Sequence, residues 1–239
     1  MIREISNPDA LNLKAPSFVC DSPLSPHIPK PFPNQHSFIL LCGASRSGKT
    51  SMMINMLTDR NLYNRVFENV LVVMPLSSRN SMKHNIFDGL DEHKKFDDLD
   101  SQTLESVLGQ LEAYSEMGEN SLIVMDDVTA SLKDRAVQKL LSRIIANRRH
   151  LKCSVLLAVQ WYNSVPLNIR KQINVLIMFA PKNYKEVRNI AEEMTKYEEQ
   201  EFRKIVDYCF DQRFNWMLVN RDDNTISKNW NRLEIQEQK

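Results

Sequence analysis

Eight consecutive residues, Gly43-Ala44-Ser45-Arg46-Ser47-Gly48-Lys49-Thr50, have types and spacing suited to holding a polyphosphate. The pattern is G-x-x-x-x-G-K-[ST], and the context it requires is a strand before it and a helix after it. Both are predicted here: Phe38-Ile39-Leu40-Leu41-Cys42 is an apolar run, and Ser51 to Leu57 can wind as a helix. The glycines let the backbone curl so that successive N–H groups point at phosphate oxygens. The helix N-terminus adds its positive dipole end. Lys49 can reach the β- and γ-phosphates, and the Thr50 hydroxyl can ligate Mg²⁺. The expected nucleotide contacts are therefore Gly43, Ala44, Ser45, Arg46, Ser47, Gly48, Lys49, Thr50 and Ser51. Only five glycines occur in the whole chain, and two of them occupy the two required positions.

A second chemical feature is Ser121-Leu-Ile-Val-Met-Asp126-Asp127, a buried-type strand ending in two carboxylates. Phosphoryl transfer to water needs a carboxylate in the Mg²⁺ shell and a group that orients and deprotonates the water. Asp126 suits the first role and Asp127 the second, although Asp127 could instead cap the helix that follows. Gln160 ends the strand Cys153–Val159, where its amide could sense the γ-phosphate and the attacking water, or simply begin a loop. Arg148 and Arg149 close the helix predicted over 132–147. Either is a candidate arginine finger, and both also suit a helix C-terminus electrostatically. Arg170 is a weaker candidate, and His150 reads as structural.

These groups need a frame. Valine- and leucine-rich runs at 37–42, 69–75, 121–127, 153–159 and 174–180 read as strands buried on both faces, alternating with helices. The helix from Ser101 carries Leu104, Val107, Leu108 and Leu111 at helical spacing, with Asp100 or Ser101 as its cap. Two more helical patterns follow, one on Val187, Ile190, Ala191 and Met194, the other on Phe202, Ile205, Val206 and Cys209. Trp216–Val219 and Ile226–Trp230 form a hairpin pattern across Arg221-Asp-Asp-Asn224. Such alternation predicts an α/β fold, a mainly parallel central sheet with helices on both faces. Ligands then sit at the carboxyl ends of the strands. The loop, the Asp pair and Gln160 all fall at that edge.

Residues 1–35 carry seven of the ten prolines, five of them within Pro23–Pro33. This reads as an extended N-terminal arm preceding a phosphate-binding domain at 36–239, which ends in a helical and hairpin extension. The stretch 77–100 mixes both charges and reads as irregular surface. Its basic residues are Arg79, Lys83, His84, Lys94 and Lys95. The net charge of +1 gives no strong field toward nucleic acid. Four separated cysteines, Cys20, Cys42, Cys153 and Cys209, suit buried thiols in a reducing compartment better than zinc. No apolar run is long enough to cross a bilayer, and an intracellular protein is expected.

Gly43–Thr50, Leu122–Asp127, Arg148-Arg149-His150, Val155–Gln160 and Ile169-Arg170-Lys171-Gln172-Ile173-Asn174 together resemble the FtsK–HerA superfamily. More narrowly, they resemble the poxvirus-type genome-packaging ATPases of large DNA viruses and virophages. The resemblance spans about residues 37–180. It implies a RecA/ASCE-like P-loop ATPase that uses ATP and Mg²⁺ and translocates double-stranded DNA into a preformed capsid. It further implies a homo-oligomeric ring, a hexamer or pentamer, that meets capsid proteins at a portal or vertex. It also implies basic loops that grip DNA phosphates, for which Arg79, Lys83 and His84, and then Lys94 and Lys95, are candidates beside the reading of 77–100 as solvated surface. The place of action would be the host cytoplasm, a virus factory or the virion. By the same resemblance Asp126 holds metal, Asp127 is the catalytic acid, Gln160 is the sensor, and Arg148 or Arg149 acts across a subunit boundary. Many superfamily members have Glu where this chain has Asp127, so the reach to water is longer here. The chain has no room for the nuclease domain of tailed-phage terminases. A P-loop kinase and an NTP-binding assembly switch are the alternative functions.

Overall fold

A computed structural model describes residues 22–82 and 85–235. Cys20, Lys83 and His84 lie outside the described residues, as does the beginning of the proline-rich arm. Nine strands form one sheet in the order β3-β2-β4-β5-β1-β6-β7-β8-β9. The strands are β1 (Phe38–Cys42), β2 (Asn69–Val73), β3 (Lys95–Phe96), β4 (Ser121–Asp126), β5 (Cys153–Val159) and β6 (Val175–Met178), followed by β7 (Met217–Asn220), β8 (Thr225–Lys228) and β9 (Asn231–Arg232). β3 through β6 pair in parallel, and the last three strands are antiparallel.

β1 lies at the centre, and all five of its residues are buried. Phe38, Leu40 and Cys42 join the core on one face, with residues of α3 (Ser101–Glu116), α4 (Arg135–Ala146), α6 (Tyr184–Met194) and α7 (Glu199–Cys209). Ile39 and Leu41 point the other way, toward Met53 and Met56 of α1 (Lys49–Thr58). Both faces are covered, so the strand reads as an unbroken apolar run rather than an alternating one.

The proline-rich segment contributes to this second core. Ile28 and Phe32 are buried there, and the Phe32 ring centroid lies 5.8 Å from that of Trp216 and 5.2 Å from that of Trp230. Tyr63 Oη donates to the carbonyl of Pro33 at 2.7 Å. Residues 22–36 therefore pack on their own domain.

Three local differences from the sequence expectations have clear causes. The helix predicted over 132–147 is split: a single 3-10 turn at Ser131–Lys133 precedes α4. Asp134 makes the break, its side chain accepting from the N–H groups of Ala136 and Val137 as the true N-cap. The stretch 77–100 is more ordered than its mixed charge suggests. It holds α2 (Leu76–Asn80), a 3-10 turn and β3, which pairs with β2. Arg79 is buried, ion-paired with Asp97 and donating to the carbonyl of Phe96 at 3.3 Å. Lys95 pairs with Glu92, and Lys94 Nζ donates to Asn69 Oδ1 at 2.9 Å and lies over the Tyr114 ring. Arg79, buried and paired within the chain, thus fastens the edge strand, which corrects the expectation that it grips DNA.

Asp134→Ala should lower stability by about 1 kcal/mol, because it orphans two donors at the start of α4. The urea midpoint should fall at unchanged m, and Asp134→Asn should recover most of the loss.

Candidate active site

The end of β1 is clamped on both sides. Gly43 N–H donates to Val159 O at 3.2 Å, and Phe179 N–H donates to Cys42 O at 2.9 Å. From this anchored point the loop curls tightly. A Cβ on Gly43 would lie 2.6 Å from Ser47 Oγ and 2.9 Å from Phe179 Cβ, and Gly48 has φ 110°, so both positions require glycine. Arg46 also lies in the left-handed region, with φ 62°. α1 begins at Lys49, with Gly48 at its N-cap.

Lys49 Nζ donates to the carbonyls of Gly43 at 2.6 Å and Ala44 at 3.1 Å. Burial lowers its pKa, against the opposing pull of Asp126. Ser47 Oγ is buried without a hydrogen-bond partner. A cation resting on its own loop and an unsatisfied hydroxyl inside that loop fit a site shaped for an anion.

β4 delivers the two carboxylates. Burial raises the Asp126 pKa, against the opposing effects of the Asp127 N–H and Lys49. Immediately after the strand the backbone turns: Asp127 has φ 59°, and its N–H donates to Asp126 Oδ1 at 2.9 Å. Aspartate tolerates this left-handed geometry better than most residues. Asp127 is not the cap of the 3-10 turn that follows. Its Oδ2 accepts from Ser78 Oγ of α2 at 2.8 Å, and Ala130 stands at the N-cap of the following 3-10 turn.

Lys49, Thr50, Asp126, Asp127 and Gln160 line one cleft of about 260 Å³, with Ser45 and Arg46 on the loop side and Ser78 and Thr129 opposite. Arg148 and Arg149 are elsewhere. They follow α4 and lead into β5, at the opposite edge of the sheet, about 23 Å away along that seven-residue strand. Arg148 donates to the carbonyls of His36 at 3.2 Å and Ile145 at 3.1 Å, and burial lowers its pKa. Arg149 is exposed. Arg170, at the end of α5 (Leu167–Arg170), holds Glu193 through two hydrogen bonds, at 2.9 and 2.7 Å, and its guanidinium lies over the Tyr162 ring. That contact accounts for the arginine of Ile169–Asn174. Asn174 explains another part of the same string, because its Oδ1 accepts from Phe38 N–H at 3.0 Å and joins β6 to the start of β1.

Two residues of the site were not foreseen. Ser78 lay in the stretch read as surface. Glu186 is buried, and its carboxylate accepts from the N–H of Tyr162 at 2.5 Å, the N–H of Lys182 at 3.1 Å and Cys42 Sγ at 3.6 Å. It therefore ties together the loops that leave β1, β5 and β6. The Asn183-x-x-Glu186 spacing at a helix start was its signal, since Asn183 Oδ1 accepts from Glu186 N–H at 3.0 Å.

A parallel sheet with a strand–loop–helix phosphate cradle beside a strand-end carboxylate pair defines a P-loop ATPase. Residues 32–225 match the family described as Poxvirus A32 protein. The chain belongs to that family, a family of viral genome-packaging ATPases. Among solved structures it is similar to the DNA-packaging ATPase B204 of Sulfolobus turreted icosahedral virus, at 16% identity and TM-score 0.60 over 84% of this chain and 98% of that one. The B204 of Sulfolobus turreted icosahedral virus 2 with AMP aligns over the same shares at 14% identity and TM-score 0.59. ATPases 2 and 3 of EssC from Geobacillus thermodenitrificans align over 85% of this chain and 41% of that one, at 13% identity and TM-score 0.54. At these identities the likeness establishes the fold. Among curated proteins none matches the chain.

Asp126 gives a signed prediction. Burial raises its pKa above the unfolded value, so the folded state binds more protons between the two pKa values. Its contribution therefore favours folding at acid pH and is lost as pH rises through the folded pKa. At pH 7 the ionised group opposes folding. Asp126→Asn should raise Tm of the nucleotide-free protein, by about 2–4 °C for each kcal/mol recovered, while abolishing ATP hydrolysis. Paired thermal melts at pH 7 and pH 4 check this, and the gain should shrink at the lower pH.

Proposed function

We propose that this chain binds ATP with Mg²⁺, hydrolyses it, and uses the cycle to drive double-stranded DNA into a preformed capsid from within a homo-oligomeric ring. The observation that carries the reading is the single cleft that gathers Lys49, Thr50, Asp126, Asp127 and Gln160 at the carboxyl edge of the sheet. Lys49 leaves the loop carbonyls and takes the β- and γ-phosphate oxygens, while the loop N–H groups hold the rest of the triphosphate. The oxygens of Thr50 and Asp126 suit a hard cation, and these two residues would hold Mg²⁺. The metal, when bound, neutralises charge on the β- and γ-oxygens.

Asp127 accepts the proton of the attacking water, and Ser78 fixes its carboxylate through the 2.8 Å hydrogen bond. Gln160 orients the same water through its amide. The arginine comes from a neighbouring subunit. Arg148 and Arg149 are the candidates, and neither lines its own chain's cleft. Contact with DNA is through backbone phosphates. Capsid proteins at a portal or vertex, in the host cytoplasm, a virus factory or the virion, are the remaining partners. Among the described residues no helix is long and apolar enough to cross a membrane.

ATP hydrolysis by the full chain should rise when double-stranded DNA is added at low salt, and Lys49→Ala should abolish it. Absence of stimulation in oligomeric protein would remove the motor reading. Asp127→Asn and the double variant Arg148→Ala/Arg149→Ala should each lose on the order of 10³-fold in kcat. Mixing the two variants should restore part of the rate, because the first supplies the arginine and the second an intact cleft. No recovery would exclude a finger given across subunits.

A further inference from the structure

The reading of Gly43–Thr50 as a triphosphate site gives the nucleotide a direction across the sheet. Asp126, Asp127 and Gln160 meet the terminal phosphate, and they end β4 and β5. In the order β4-β5-β1-β6-β7 those two strands lie on one side of the phosphate loop, with β6 and β7 on the other. A nucleotide whose γ-phosphate faces β4 and β5 carries its sugar and base toward β6 and β7.

Two aromatic side chains stand on that side. Phe179, just after β6, is buried beneath the loop, with its ring 3.3 Å from where a Cβ on Gly48 would lie. Phe214, just before β7, is 3.8 Å from the same point, yet it is 56% exposed. The Arg213 guanidinium carbon lies 4.6 Å from the Phe214 ring centroid, making a planar cation–aromatic pair. Phe214 also has φ 68°, in the left-handed region that a bulky side chain adopts only when its surroundings hold it there. They do so here. Lys228 Nζ donates to Asp211 Oδ1 at 2.7 Å, Asn215 Nδ2 donates to the same oxygen at 2.8 Å, and Asn229 Nδ2 donates to Asn215 Oδ1 at 3.0 Å. The turn 211–215 is thus braced on the β8 side. An apolar core requires no such bracing for an exposed ring, whereas a fixed stacking surface does.

We propose that Phe214, backed by Arg213, is the stacking platform for the purine base of the bound nucleotide. It deepens the triphosphate reading and rests on it. Aromatic stacking is tolerant of base identity, so the platform contributes affinity to nucleotides as a class.

The test compares two ligands on the full-length protein with Mg²⁺: AMPPCP, which has a base, and inorganic tripolyphosphate, which has none. Phe214→Ala should weaken AMPPCP binding by about five- to hundredfold and leave tripolyphosphate affinity within about twofold. Phe214→Trp should keep AMPPCP affinity near that of wild type, and AMPPCP, but not tripolyphosphate, should quench its added indole fluorescence. Unchanged AMPPCP affinity in Phe214→Ala would overturn the proposal. Equal losses for both ligands would also overturn it, because they would mean that Phe214 only shapes the phosphate loop. Lys49→Ala tells this failure from that of the underlying reading. Wild-type affinity of Lys49→Ala for both ligands would place the phosphate site elsewhere, and the proposal would fall with it.

Discussion

The pairing of β1 between β5 and β6 is the constraint on which everything else depends. Cys42 stands opposite Val159 on one side and Met178 on the other, and Asp126 of β4 stands opposite Ala158. In a parallel sheet this register brings the ends of four strands to one line. Gly43, Asp127, Gln160 and Phe179 are each the first residue past a strand end there. Side chains alternate with a period of two, so a one-residue slip of β1 would exchange its two buried faces. Phe38, Leu40 and Cys42 would meet α1 in place of Ile39 and Leu41. Such a slip is blocked at the opposite edge, where Asn174 accepts from Phe38 N–H and Asn174 N–H donates to Phe38 O at 3.1 Å. The catalytic edge is therefore held in register from the far end of the sheet.

Within the site the charges are held by near neighbours. Lys49 sits on loop carbonyls, the Asp127 N–H turns back to Asp126, and Ser78 holds Asp127. Two backbone positions at the edge, Arg46 and Asp127, adopt left-handed φ values that favour glycine. Strain and a desolvated carboxylate gather where the chemistry is proposed, as is common for sites preorganised for a transition state. The half-buried Arg170–Glu193 pair stiffens the segment between β5 and β6.

Most of the frame was legible in the sequence because burial on both faces leaves uninterrupted apolar runs. The strands at 38–42, 69–73, 121–126 and 153–159 needed only that pattern, and the phosphate loop needed only its glycines and its flanking elements. Contacts between residues distant in the chain were not legible. Arg79 and Asp97 neutralise each other eighteen positions apart, and a mixed-charge stretch containing such a pair reads as solvated surface. Ser78 meets Asp127 across 49 positions, and Glu186 meets Tyr162 across 24; neither distance leaves a periodicity. The break at Asp134 was not legible, because the apolar spacing from Leu132 through Ala136 and Val137 continues across it. The placement of Arg148 and Arg149 at the opposite edge follows from strand direction alone, once β5 is known to run parallel to β1.

A single-turnover experiment on Asp127→Asn reads the division of labour at this edge most directly. Enzyme in excess is mixed with radiolabelled ATP and Mg²⁺, and bound and cleaved nucleotide are followed together. If Lys49 binds and Asp127 activates water, ATP remains bound near wild-type affinity while cleavage slows by about 10²-fold or more. Cleavage at the wild-type rate, or a loss of binding as large as the loss of cleavage, would contradict that assignment.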